Sequence, residues 1–176
     1  MNRQMQGFTL IEVLISVLIL SLGLLGVAAM QSRSLGSSHT ASLRSQAILA
    51  AGDIADRMRA NRVAADPTAA SNYGNIAGAE NSCRRVHYGH VHGAVLCSTS
   101  QLAADDLRDW RLQLAGVLPT GRGIVCIDST PDDGTFAAPA CDAIGNTYAV
   151  KIFWQEKSDI TGAATTPQRF VTQVQP

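Results

Sequence analysis

The sequence predicts an α+β protein: one long N-terminal α-helix whose second half packs on a small antiparallel β-sheet, with disulfide-stapled loops. Three observations predict it. Residues 8–30 are an apolar run broken by a single carboxylate, Glu12. No proline precedes Pro67, so nothing forces the helix to stop before the amphipathic stretch that begins at Leu43. Late in the chain, residues 147–156 alternate with a period of two, as a half-buried strand does.

The chain has 176 residues and a formal net charge of zero. Beyond a membrane segment that leaves room for one small domain. Zero net charge does not suggest a nucleic-acid groove. The four cysteines all lie beyond residue 80, on one side of the apolar run, which suggests export of that part to an oxidising compartment.

The apolar run is about 23 residues, roughly 34 Å as a helix, long enough for a bilayer core of about 30 Å. Arg3 precedes it and no acid does, which places the N-terminus in the cytoplasm. A cleaved signal peptide would use Val27-Ala28-Ala29, but such peptides have a shorter apolar region and no acid near its start. A plain anchor would leave Glu12 near the interface with no task. A core helix of a soluble protein would be neither this long nor this uniformly apolar. A charge deep in a bilayer costs roughly 2.5–3.5 kcal/mol on insertion scales, so Glu12 calls for a partner.

Met1 to Gly7 is a short polar leader ending in glycine, followed by Phe8-Thr-Leu-Ile-Glu12 and the apolar run. This segment resembles the class III signal of type IV prepilins and related pseudopilins. The resemblance implies that a prepilin peptidase cleaves after Gly7 and that the new terminal residue, Phe8, is N-methylated. It also implies that Glu12 neutralises the terminal amine of a neighbouring subunit during assembly. Pairing offsets part of the cost of two buried charges, and the pair would set the axial register.

Along the rest of the first helix, Gly23, Gly26 and Gly36 are weak points, and the serine-rich stretch 32–42 is a place to fray. Leu43, Ala47, Ala50, Ala51, Ile54 and Met58 then share one stripe, and Arg57, Arg59 and Arg62 suit the end of a helix near Asn61. Residues 63–82 read as a loop. Ser98, Thr99 and Ser100 are N-cap candidates for a helix over 101–115, whose apolar face is Ala103, Leu107, Trp110, Leu114, Val117 and Leu118. Strands are expected at 123–128, 147–156 and 169–174. In the second of these, Tyr148, Val150, Ile152 and Trp154 face the core, and Lys151 and Gln155 face away from it.

Cys83, His87, His90, His92 and Cys97 lie close in sequence and are the metal-ligand candidates. They lack a CxxC knuckle, and exported cysteines oxidise, so a disulfide-bonded loop without metal is the expectation. Asp128, Asp132, Asp133 and Gly134 lack the alternating spacing of a calcium loop, and turn chemistry accounts for them. Four cysteines allow three pairings; Cys83–Cys97 and Cys126–Cys141 close two short loops and are predicted. No spacing singles out a nucleophile and its base, so no enzyme and no cofactor is expected.

Three later segments narrow the resemblance: "RSQAILAAGDIADRMRANR", "DLRDWRLQLAGVLPTGRGIVCID" and "YAVKIFWQEK". Together with the N-terminal signal they resemble the PilV group of minor pilins, the type IV pilus modification proteins. The implied organisation is a leader over 1–7, a transmembrane half-helix over 8–30, an amphipathic half-helix over 31–62 and a periplasmic head over 63–176. The resemblance implies a type IV pilin fold and residence in the inner membrane, then in the pilus fibre. Implied partners are the prepilin peptidase, other minor pilins, the major pilin, the inner-membrane assembly platform and a tip adhesin. Twitching motility and adhesion would follow indirectly. A pseudopilin of type II secretion is the alternative within this class. A membrane-anchored periplasmic binding or metal protein is the alternative outside it.

Overall fold

A computed structural model describes residues 7–69, 73–74, 86–87, 90–91, 97–156 and 165–176. Helix α1 runs over Leu10–Ala60, and the chain divides into two compact units inside it, between Ala41 and Ser42. The serine-rich stretch at 32–42 is helical throughout.

In the first unit the apolar side chains from Phe8 to Met30 are exposed. α1 contains a stretch long and apolar enough to cross a membrane. The Ser16 hydroxyl donates to the Glu12 carbonyl (2.7 Å) and the Ser21 hydroxyl to the Leu18 carbonyl (2.8 Å). Both serines thus satisfy their donors within the helix, which lowers their cost in an apolar medium.

In the second unit the expected stripe of α1 is buried: Leu43, Ala47, Ala50, Ala51, Ile54 and Met58, with Ala55 beside them. Alanine at four of these positions lets neighbouring elements come close to the helix axis. Past its end, the Asn61 side-chain amide donates to the Thr99 carbonyl (2.8 Å) and ties α1 to the start of helix α2, Thr99–Val117. α2 begins with a capping box. Ser98 Oγ accepts from the Gln101 N–H, and Gln101 Oε1 accepts from the Ser98 N–H.

Ala103, Leu107, Trp110 and Leu114 form the buried face of α2, but Val117, expected there, is 42% exposed. The helix stops at Val117. Extended backbone at Leu118 (φ −113°, ψ 134°) brings that side chain into the core instead.

Three antiparallel strands follow: β3 (Arg122–Ile127), β4 (Tyr148–Glu156) and β5 (Thr166–Val174), with β4 in the centre. Two short strands earlier in the chain, β1 (Val86–His87) and β2 (His90–Val91), form a separate two-stranded ladder. Tyr148, Val150, Ile152 and Trp154 of β4 join the buried faces of α1 and α2 in one core. Gly123 on β3 is required by this packing, because a Cβ there would land on the Trp110 ring and Leu114.

The opposite face of the sheet differs from the sequence expectation. Ala149, Lys151 and Phe153 are as buried as the core face. The connection between β3 and β4 folds back over them as a lid, and its chemistry explains how a lysine is accommodated there.

Candidate functional site

Two regions hold the residues singled out by the sequence. The first is the start of α1. Gly7, Phe8 and Thr9 precede the helix, Phe8 is 84% exposed, and Glu12 lies in the first turn. A carboxylate is favoured there by the positive end of the helix dipole. Glu12 is exposed, and it makes no ion pair among the described residues. A carboxylate near the start of an exposed apolar helix, without a counter-charge in its own described chain, can receive a cation from another molecule.

The second region is the head. Asp106 joins three segments: it accepts from the Tyr73 hydroxyl (2.9 Å) and from Arg57 of α1 (3.4 Å), while Arg57 also holds Asp53 (3.0 Å). Burial, and then the Asp106 charge, push the Tyr73 phenol well above its ordinary range. Four residues along α2, the Trp110 indole donates to the Ala50 carbonyl of α1 (2.8 Å). The segment "DLRDW" is therefore the clasp between the two helices.

The lid over the sheet's other face, residues 128–142, is closed at its base by the Cys126–Cys141 disulfide. Three strands donate cations into it. Arg122 of β3 donates to the Phe136 carbonyl (2.9 Å), and Arg169 of β5 donates to the Gly134 carbonyl (2.7 Å) and the Asp132 carbonyl (2.9 Å). Lys151 of β4 meets Asp128 at 2.5 Å and Asp133 at 2.8 Å. Arg122, Phe153 and Arg169 form one row across the three strands. Phe136 of the lid meets Phe153 edge-on with ring centroids 6.5 Å apart. An acidic lid thus lies on a cationic face with an aromatic contact at its middle. Burial alone would lower the Lys151 pKa, but hydrogen bonds and charge from Asp128 and Asp133 outweigh it and leave the ammonium above its ordinary range.

The candidate metal ligands are not assembled into a described site. His87 and His90 are register partners in the β1–β2 ladder, and Cys83 and His92 lie outside the described residues. Cys97 is disulfide-bonded; its predicted partner, Cys83, is among the residues not described. Cys126, Asp128 and Cys141 come close together, but the two sulfurs are bonded to each other and are not thiolate ligands. Asp128 and Asp133, read in the sequence as turn residues, also hold a charge. The missing signal was Lys151, a lysine in the middle of an otherwise apolar strand.

An exposed apolar helix that continues into a disulfide-bonded head, its second half packed with a three-stranded antiparallel sheet, is the organisation of the type IV pilin fold. The class is that of a type IV pilin-like subunit. Residues 29–108 are similar to the family described as type IV pilin Tt1218, and residues 2–28 match the prokaryotic N-terminal methylation motif. Comparison with curated proteins and with solved structures finds no match.

Proposed function

We propose that the chain is a minor pilin of a bacterial type IV pilus, of the PilV group. In this reading it is processed by the prepilin peptidase, held in the inner membrane by the first half of α1 and then incorporated with other minor pilins to prime assembly. The observation that carries the reading is the pairing of the methylation motif with the carboxylate of Glu12, which lies four residues after Phe8 and has no ion pair among the described residues. Cleavage after Gly7 would expose a cationic amine at Phe8. Glu12 of one subunit would receive that amine from the next, so that two charges too costly to leave alone in hydrocarbon meet only in the assembled fibre. The roles of Gly7, Phe8 and Glu12 belong to this proposal. The head contributes no reaction chemistry to it; its clasp and lid present a rigid surface to neighbouring subunits.

The test separates processing from docking. Gly7→Leu should leave the leader attached, because the peptidase must fit a small residue at the cut. Glu12→Leu should still be cleaved and inserted, yet be missing from sheared fibres. Masses of the mature chain and fractionation of membrane and fibre give both readouts. Wild-type incorporation of Glu12→Leu would refute the docking role. Intact fibres with lost protein secretion in a deletion strain would move the chain to the type II secretion pseudopilus.

A further inference from the structure

Five oxygens converge on the Lys151 ammonium. They are Asp128 Oδ2 (2.5 Å), Asp133 Oδ1 (2.8 Å) and the main-chain carbonyls of Pro139 (2.8 Å), Asp133 (3.3 Å) and Ala140 (3.4 Å). An ammonium has only three N–H donors, so the oxygens outnumber what it can use directionally. A surplus of oxygens around one point suits a spherical ion better than a directional donor. All five come from one loop, which the Cys126–Cys141 disulfide closes at its base. The two carboxylates supply two formal negative charges, one more than the ammonium cancels.

The ammonium itself is sealed, although the Asp133 side chain that reaches it is 45% exposed. The side chains of Lys151 and Asp128 are both 0% exposed. Gly134 (φ 83°) makes a turn that sets it against Pro139 within the loop, and a Cβ at this position would collide with the Pro139 carbonyl. The loop backbone is therefore shaped around the cation, and the cation enters from beneath, on the central strand.

We infer that the 128–142 loop is a cation-binding loop whose cation is the tethered ammonium of Lys151, and that the same oxygens take a hard divalent cation of calcium's size once that ammonium is removed. Calcium accepts roughly 6–8 oxygens, carboxylate and carbonyl mixed, in irregular geometry; water would complete the set. Magnesium demands near-octahedral geometry at short range and gives up its waters reluctantly, so it fits an irregular set of carbonyls poorly. Lys151 thus makes the lid independent of any metal in the medium.

The test uses the full chain in detergent, as wild type, Lys151→Ala and the double variant Asp128→Asn/Lys151→Ala. Thermal unfolding is followed in EDTA, in calcium chloride and in magnesium chloride, with calcium binding measured by titration calorimetry. Lys151→Ala should melt well below wild type in EDTA, bind one calcium per chain and recover most of the lost melting temperature with calcium, but not with magnesium. Wild type should neither bind calcium nor shift. The double variant should lose the calcium response. The inference is overturned if Lys151→Ala melts alike in EDTA and calcium, or stays unfolded in both. It is equally overturned if wild type binds calcium as the variant does, and an equal response to magnesium overturns the assignment to an ion of calcium's size.

Discussion

The Trp110 indole N–H donates to the Ala50 carbonyl across 60 residues of sequence, at 2.8 Å and out of contact with solvent. This bond ties α2 to one point on α1, and the ring that makes it packs against Gly123 of β3.

Trp110→Ala should therefore cost about 3–5 kcal/mol, the range for removing a large buried aromatic. Gly123→Ala attacks the same contact from the other side by placing a methyl where the ring sits. Overpacking of this kind costs about 1–3 kcal/mol. Urea denaturation followed by tryptophan fluorescence for Gly123→Ala and by circular dichroism for Trp110→Ala checks both; a neutral Gly123→Ala would contradict the packing described.

The two buried tyrosines should respond oppositely to loss of their hydroxyls. Tyr73 donates to the buried Asp106 carboxylate, and a bond to a charged group contributes roughly 1.5–3 kcal/mol. The Tyr148 hydroxyl is buried and has no hydrogen-bond partner among the described residues. Tyr73→Phe should destabilise by about that amount. Tyr148→Phe should be neutral or stabilising, since it relieves an unsatisfied polar group. Denaturation midpoints for the two variants, measured side by side, decide this.

Removing the Cys126–Cys141 bridge with paired serines should cost about 3 kcal/mol, the chain-entropy value for a loop of this length. The lid, held also by Lys151, Arg122 and Arg169, should stay native-like at neutral pH. A denaturation curve gives the first quantity. Hydrogen exchange over residues 128–142 gives the second, and full exchange there would show that the cations do not hold the lid.

Stability should fall at alkaline pH. Tyr148 is pushed up to about 12 by burial and then by the nearby Asp66 charge, and Tyr73 and Lys151 are raised as well. The folded chain therefore keeps protons that the unfolded chain loses. This contribution is fully present below the ordinary tyrosine value of 10.0 and is lost as pH rises through the folded values. On the acid side, hydrogen bonds from Lys151 lower Asp133, and hydrogen bonds from Ser129 lower Asp142, so their contribution is present above 3.8 and fades as pH falls below it. Chemical denaturation at intervals from about pH 3 to about pH 11 should show a plateau between two falling limbs.

Much of this architecture was legible in the sequence because it is written in short periods. The α1 stripe from Leu43 to Met58, the core face of β4 and the Ser98 cap are each a local pattern, and each formed as its residues prescribe. The second face of the sheet was not legible. Alternation assigns the polar positions of a strand to solvent, and nothing within residues 147–156 says that a connection of the same chain returns to cover Lys151. Burial of that lysine depends on Asp128 and Asp133, about 20 residues away, and on three carbonyls whose direction no side chain encodes. Val117 was misplaced for another reason: it is the last residue of α2, and the extended backbone at Leu118 that ends the helix gives the core place to Leu118 instead. At the N-terminus, Gly7, Phe8 and Glu12 were legible as a motif. The task proposed for them concerns a second molecule, which no pattern within one chain displays.

The chain has only two lysines, Lys151 and Lys157, and the first is sealed beneath its lid. Amine acylation therefore becomes a clock for lid opening. While the lid is shut, Lys151 cannot be acylated, so the rate at which its peptide gains an acyl mass, set against that of Lys157 in the same digest, reads how often the loop lifts. Under the proposed function, the same label applied to fibres and to membrane-held chain would show whether assembly changes that frequency.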